Sequence, residues 1–88
     1  MKLDPEFLMQ EVGDDSVLVP VGAAGQRFKG VIRLNSTASF IVEHLKDGAT
    51  RDELIAALGE EYEGDAEMFG KSVDATIASL REAGAIID

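Results

Sequence analysis

The sequence predicts an α+β fold in which a three-stranded antiparallel sheet precedes three helices, in the order β-β-β-α-α-α. The first sign is a change of hydrophobic period within residues 30–38, Gly-Val-Ile-Arg-Leu-Asn-Ser-Thr-Ala. Ahead of it, Phe28, Gly30, Ile32 and Leu34 alternate with Lys29, Val31 and Arg33, the period of a strand with one buried face. Beyond it, Phe40, Ile41, His44 and Leu45 recur at helical spacing. The second sign is the run of turn formers Gly13-Asp14-Asp15-Ser16, which separates two short apolar runs. The third is a pair of helix-start signals downstream, at Thr50 and at Asp65.

Each element has its own warrant. Phe7-Leu8-Met9, ending at Val12, and Val17-Leu18-Val19 flank the turn run and read as a hairpin. Pro20 closes the second strand, because a proline inside a central strand would delete a ladder hydrogen bond. Gly22-Ala23-Ala24-Gly25-Gln26 reads as a flexible loop, and the third strand as residues 27–34. With hairpin connections the order is 1-2-3, and the third strand lies at an edge with unpaired backbone groups.

The first helix is expected over 36–46, capped by Asn35 or Ser36 and closed by Gly48. The second opens on Thr50-Arg51-Asp52-Glu53, the pattern of a capping box, and buries Leu54, Ile55, Leu58 and Tyr62. Gly59 weakens it by about 1 kcal/mol relative to alanine. The third is capped by Asp65, runs to about residue 83 and buries Phe69, Val73, Ile77 and Leu80. Gly84 ends it. Ala85-Ile86-Ile87 is expected to tuck back onto the core.

With 88 residues, 45% of them hydrophobic, the chain is read as one domain over 1–88. The absence of cysteine excludes disulfides and thiolate metal sites. No window has the length or hydropathy of a signal peptide or a membrane span, so a cytoplasmic protein is expected. The net charge is −9 and unevenly spread: residues 1–34 carry −1, and residues 35–88 carry −8. A field of that sign repels phosphates and disfavours nucleic acid and anionic membranes.

Little in the chain points to catalysis or a cofactor. His44, the only histidine, lies beside the first helix's apolar stripe with no second histidine or cysteine to share a metal. No serine has the context of an activated nucleophile. The pairs Asp14-Asp15 and Glu60-Glu61 read as solvated, and Gly22-Ala23-Ala24-Gly25 lacks the Lys-Ser/Thr of a phosphate loop. Asp15-Ser16-Val17-Leu18 is similar to the attachment site of acyl carrier proteins, but that serine must begin a helix, and here it lies in strand-like sequence. No enzyme is expected.

Two binding readings remain. A winged helix-turn-helix, transcription-associated and binding DNA or a regulator, has the same elements, but a DNA reader needs a basic recognition helix. The third helix offers Lys71 and Arg81 against Asp65, Glu67, Asp74 and Glu82. The other reading starts from the edge of the third strand beside the third helix. An extended peptide can add there as a strand, pairing with residues 29–34, with Lys29 and Arg33 on one face to meet acidic side chains. The edge could equally be covered by the chain itself or by a second subunit, as a homodimer.

Leu34-Asn35-Ser36-Thr37-Ala38, Ile41, Leu45, Asp47-Gly48-Ala49-Thr50, Glu53-Leu54, Glu60-Glu61-Tyr62, Asp65 and Leu80-Arg81-Glu82-Ala83-Gly84 together resemble the PqqD family. Residues 7–21 resemble that family's opening hairpin, so the likeness spans nearly the whole chain. The resemblance implies a winged-helix-like fold and a non-enzymatic role. Such a domain is a recognition element that binds the leader of a ribosomally made precursor peptide as an added strand. It presents the peptide to a modifying enzyme, commonly a radical SAM enzyme. The implied site is Lys29, Val31, Ile32, Arg33 and Leu34 on the strand, with Lys71, Ala75, Ala78 and Arg81 on the third helix. Pyrroloquinoline quinone synthesis itself is not implied.

The charge pattern makes one prediction by itself. Duplex DNA titrated against the protein at low salt should not be retained on a filter; tight retention that weakens steeply with salt would restore the DNA reading.

Overall fold

The computed structural model describes residues 1–88. The elements are β1 (Lys2–Leu3), β2 (Phe7–Val12), β3 (Asp15–Pro20), α1 (Ala24–Arg27), β4 (Ile32–Leu34), α2 (Ser36–Leu45), α3 (Arg51–Glu61), α4 (Ala66–Glu82) and β5 (Ile86–Ile87). β2, β3 and β4 form an antiparallel sheet in that order, and the three long helices follow it, as the sequence predicts. The strand order leaves one edge open on β2 and one on β4.

The register explains which strand residues enter the core. Met9, Leu18 and Ile32 stand opposite one another across the sheet and face the helices, as do Ser16 and Leu34. Gln10, Val17 and Arg33 form the matching row on the other face. Leu18 and Leu34 are buried with Ile41, Val42 and Leu45 of α2, Leu54 and Leu58 of α3, and Phe69, Val73, Ile77 and Leu80 of α4, all in one cluster.

The helix ends follow the sequence signals. Asn35, rather than Ser36, caps α2, its side chain accepting from the Ala38 N–H at 2.8 Å. Thr50 and Glu53 form the reciprocal capping box of α3, at 3.1 and 2.9 Å. Asp65 caps α4 by accepting from the Met68 N–H at 2.8 Å. The end of α4 is a Schellman motif: the Ala85 N–H donates to the Leu80 carbonyl, and the Gly84 N–H to that of Arg81. Gly84 adopts a φ of 75° that this closure requires.

Three expectations are corrected. The segment 22–26 is not all loop, since Ala24–Arg27 forms a helical turn before β4, so the helices do not all follow the sheet. That turn is held from a distance: the Glu6 carboxylate accepts from the Ala23 N–H at 3.0 Å, and Ala24 is fully buried. The third strand does not begin at Arg27 but at Ile32, because Gly30 turns the chain at a φ of 110°, outside the strand region. Tyr62 is not a core residue of α3; it is 37% exposed and lies edge-on to Phe40.

The tail does fold back. Ala85 is fully buried, and Ile86–Ile87 pair with Lys2–Leu3 as a second, two-stranded sheet. That pairing ties the two ends of the chain together beneath α4.

Leu80 is the larger of the two α4 side chains, with Val73, that have no exposed surface. Leu80→Ala should lower stability in urea unfolding by about 2–5 kcal/mol, through lost transfer energy and the cavity left behind. Against a total of roughly 5–15 kcal/mol for a domain, that loss is a large fraction of the stability.

Candidate functional site

The site is built around β4 and the flank of α4 that faces it. Burial of Phe69, Val73, Ile77 and Leu80 fixes the rotation of α4 about its axis. That rotation turns Ala75, Thr76 and Ser79 towards β4. Between them lies a groove of about 210 Å³. Its floor is Ile32, Leu34 and Leu80, and its end is closed by Asn35 and Ala38 at the start of α2. Arg33 stands at the rim, on the side of the sheet away from the core.

The groove is narrow because its wall is made of small side chains. Ala75 and Ser79 are one helical turn apart and exposed, and Thr76 beside them is half-buried. Small residues here let another backbone run close to the helix. β4 supplies the other requirement. It pairs with β3 on one side only, so backbone N–H and C=O groups on its outer side have no strand partner.

The residues expected at the site divide into three groups. Ile32, Arg33, Leu34 and Ala75 come together in the groove. Lys29 and Val31 lie ahead of β4 in the turn set by Gly30; Lys29 Nζ donates to the Gly25 carbonyl at 3.4 Å, and Val31 is 51% exposed. Lys71, Ala78 and Arg81 do not line the groove. Lys71 stands exposed beside Glu67 at 3.7 Å. Ala78 and Arg81 line a different cleft, of about 280 Å³, on the opposite flank of α4 with Met1, Arg51 and Asp74.

Five groove residues were missed: Asn35, Ala38, Leu80, Thr76 and Ser79. The helical period could have found the last two. Thr76 and Ser79 fall on one flank of the buried stripe together with Ala75, while Ala78 and Arg81 fall on the other. Periodicity alone does not say which flank faces the strand.

The electrostatics separate the two flanks. Arg51 makes a two-pronged contact with Asp74 at 2.7 and 3.0 Å, and Arg81 another with Asp88 at 2.8 and 2.8 Å. Hydrogen bonds from the guanidiniums hold the Asp74 and Asp88 carboxyls below the usual carboxylate range. Both arginines are therefore neutralised on the flank away from β4. No group of three or more His, Asp or Glu side chains is placed to hold a metal ion. His44 contacts the Phe40 carbonyl at 3.0 Å and stacks near the Phe40 ring. No helix is long and apolar enough to cross a membrane.

Comparison with known proteins gives two kinds of match. A family model described as Coenzyme PQQ synthesis protein D (PqqD) matches residues 9–86. Two solved structures are similar over the whole fold. One is lasso peptide synthetase B1 complexed with the leader peptide, 29% identical, covering 99% of this chain and 96% of that one, with a TM-score of 0.75. The other is TbiB1 in complex with the TbiA(beta) leader peptide, covering 100% of both chains with a TM-score of 0.77. At 19% identity the latter shows likeness of fold alone. No curated protein matches the chain.

The lowered carboxyl of Asp74 carries a pH prediction. A depressed folded value means that its contribution to stability is present above the ordinary carboxylate range and is lost as pH falls through the lowered value. Asp74→Asn should therefore unfold more easily than the parent at pH 6, and the difference should shrink as the pH is taken below the ordinary carboxylate range. Thermal melts of both proteins across that range check it; a constant difference at all pH values would remove the ion pair as its cause.

Proposed function

The chain belongs to the PqqD family, and from that premise we propose that it is a non-enzymatic recognition element for the leader of a ribosomally made precursor peptide. The leader adds as a strand to the outer edge of β4 and lays side chains into the groove against α4. One observation carries this reading: the open edge of β4 faces the small-residue flank of α4 across an apolar-floored groove. Strand addition needs that combination of free backbone groups and adjacent pockets. The similarity to lasso peptide synthetase B1, described as complexed with the leader peptide, supports it.

The bound leader is presented to a modifying enzyme, for which the family resemblance suggests a radical SAM enzyme, in the cytoplasm. Ile32, Arg33, Leu34, Ala75, Thr76 and Ser79 form the proposed contact surface, with Lys29 and Val31 extending it along the chain before β4. Lys29 offers positive charge to acidic side chains of the leader, and Arg33 does so by exchanging its weak surface contact with Asp15 at 3.4 Å. The DNA reading draws no support from α4, whose Lys71 and Arg81 each stand beside a carboxylate.

Filling the groove tests the assignment. Ala75→Arg or Ser79→Arg places a long side chain where the peptide would lie, at exposed helical positions that leave the core untouched. Titration of the isotope-labelled chain with a candidate leader peptide should show amide shifts at Ile32–Asn35 and along α4, and either variant should weaken binding at least ~10-fold, about 1.4 kcal/mol. Ala78→Arg, on the other flank, should bind like the parent. Equal losses at Ala75 and Ala78, or shifts confined to α3, would sink the groove.

A further inference from the structure

Six of the eight basic side chains are held by a carboxylate: Arg27 by Asp4, Arg33 by Asp15, Lys46 by Glu43, Arg51 by Asp74, Lys71 by Glu67 and Arg81 by Asp88. Lys2 and Lys29 are the two without one. Each stands near an open edge of the three-stranded sheet. Lys29 precedes β4. Lys2 lines a cleft of about 570 Å³ beside β2, the strand at the opposite edge.

This cleft is deeper in apolar surface than in charge. Leu3 and Phe7 at its base are 4% and 2% exposed, Met9 is half-buried, and Leu8 is 48% exposed. Lys46 stands on its rim along with Lys2. The contact of Lys46 with Glu43 spans one helical turn at the surface, a kind of pair worth little and easily exchanged for a better carboxylate. β2 is six residues long and pairs only with β3, so it offers a longer free edge than β4.

We propose that the β2 edge is a second docking site, taking an extended acidic segment of a partner protein as an added strand while β4 remains free. The occupant follows from charge. Lys2 and Lys46 are cations in a chain of net −9, and the sheet half carries only −1 of it, so an acidic strand meets less repulsion here than over the helices. Glu11, exposed towards the far end of β2, sets the polarity. The carboxylates of the incoming strand lie at the Phe7 end, beside the two lysines, and its apolar residues lie over Leu8 and Met9. A second copy of this chain is the poorer occupant, since two chains of net −9 repel one another. The inference does not depend on what occupies β4.

The probe is a capped peptide of about ten residues alternating valine and glutamate, a length at the upper end of ordinary strands. Titrated into the full isotope-labelled chain, it should shift amides at Lys2–Gln10 and at Lys46. The double variant Lys2→Glu with Lys46→Glu should weaken that binding at least ~10-fold while its thermal melt stays close to the parent's. The same peptide N-methylated at alternate residues should fail to bind, since pairing needs its N–H groups. Shifts confined to β4 and α4, an equal response to a valine–lysine peptide, binding that survives N-methylation, or no shift at all would each overturn the proposal. So would a dimer seen by sedimentation without peptide, if dilution reverses shifts at β2. Because β2 and β4 report through different amides, failure here is distinguishable from failure of the leader site.

Discussion

The rotation of α4 about its own axis decides what the rest of the molecule can do. Phe69, Val73, Ile77 and Leu80 must all face the core, and a helix with four side chains so committed cannot turn. The commitment sends Ala75, Thr76 and Ser79 to one side and Asp74, Ala78 and Arg81 to the other. One flank then lies across from the strand edge with small side chains and no charge of its own. The other carries two closed ion pairs. A rotation by one residue, about 100°, would bring a charged flank to β4 and remove the groove.

The closing clasp of the termini serves the same end. The Schellman turn after Glu82 reverses the chain, Ala85 fills the core, and β5 meets β1. The Asp4 N–H donates to the Ala85 carbonyl at 2.8 Å, so the entry to β2 is anchored to the exit of α4. The start of the sheet is thereby fixed relative to the end of α4. The acidic charge meanwhile gathers on the helices, which leaves the sheet nearly neutral. An acidic strand thus meets its least electrostatic opposition at the sheet's two edges.

Much of this was legible in the chain. The passage from strand to helix between Leu34 and Ser36, the caps at Thr50 and Asp65 and the stop at Gly84 are local signals, and each appears where the sequence places it. What was not legible depends on distant partners. The turn Ala24–Arg27 rests on the Glu6 carboxylate far back in the sequence, and the two-residue strands at the termini are too short to carry any periodicity. Gly30 looked like a buried strand position because glycine is silent in a hydrophobic pattern, whereas its φ ends the strand. The groove was half legible. The stripe of α4 defines two flanks, but the choice between them depends on the hand of the chain's path over the sheet, which no residue type encodes.

The brevity of β4 constrains how any strand could be held there. Three residues expose alternate backbone groups on the outer side, so an added strand gains only a few hydrogen bonds, each worth about 1 kcal/mol net. Association alone costs on the order of 4–15 kcal/mol, so pairing cannot hold a peptide by itself. The difference has to come from apolar side chains entering the groove, where a volume of about 210 Å³ holds several waters at about 30 Å³ each that a side chain would release. Recognition would then depend on side-chain fit against Ile32 and the small side chains Ala75, Thr76 and Ser79, with the backbone setting direction and register. That division suits a carrier: affinity concentrated in one or two side chains falls away when those are drawn out of the groove, so the peptide can be passed on without unfolding the protein that holds it.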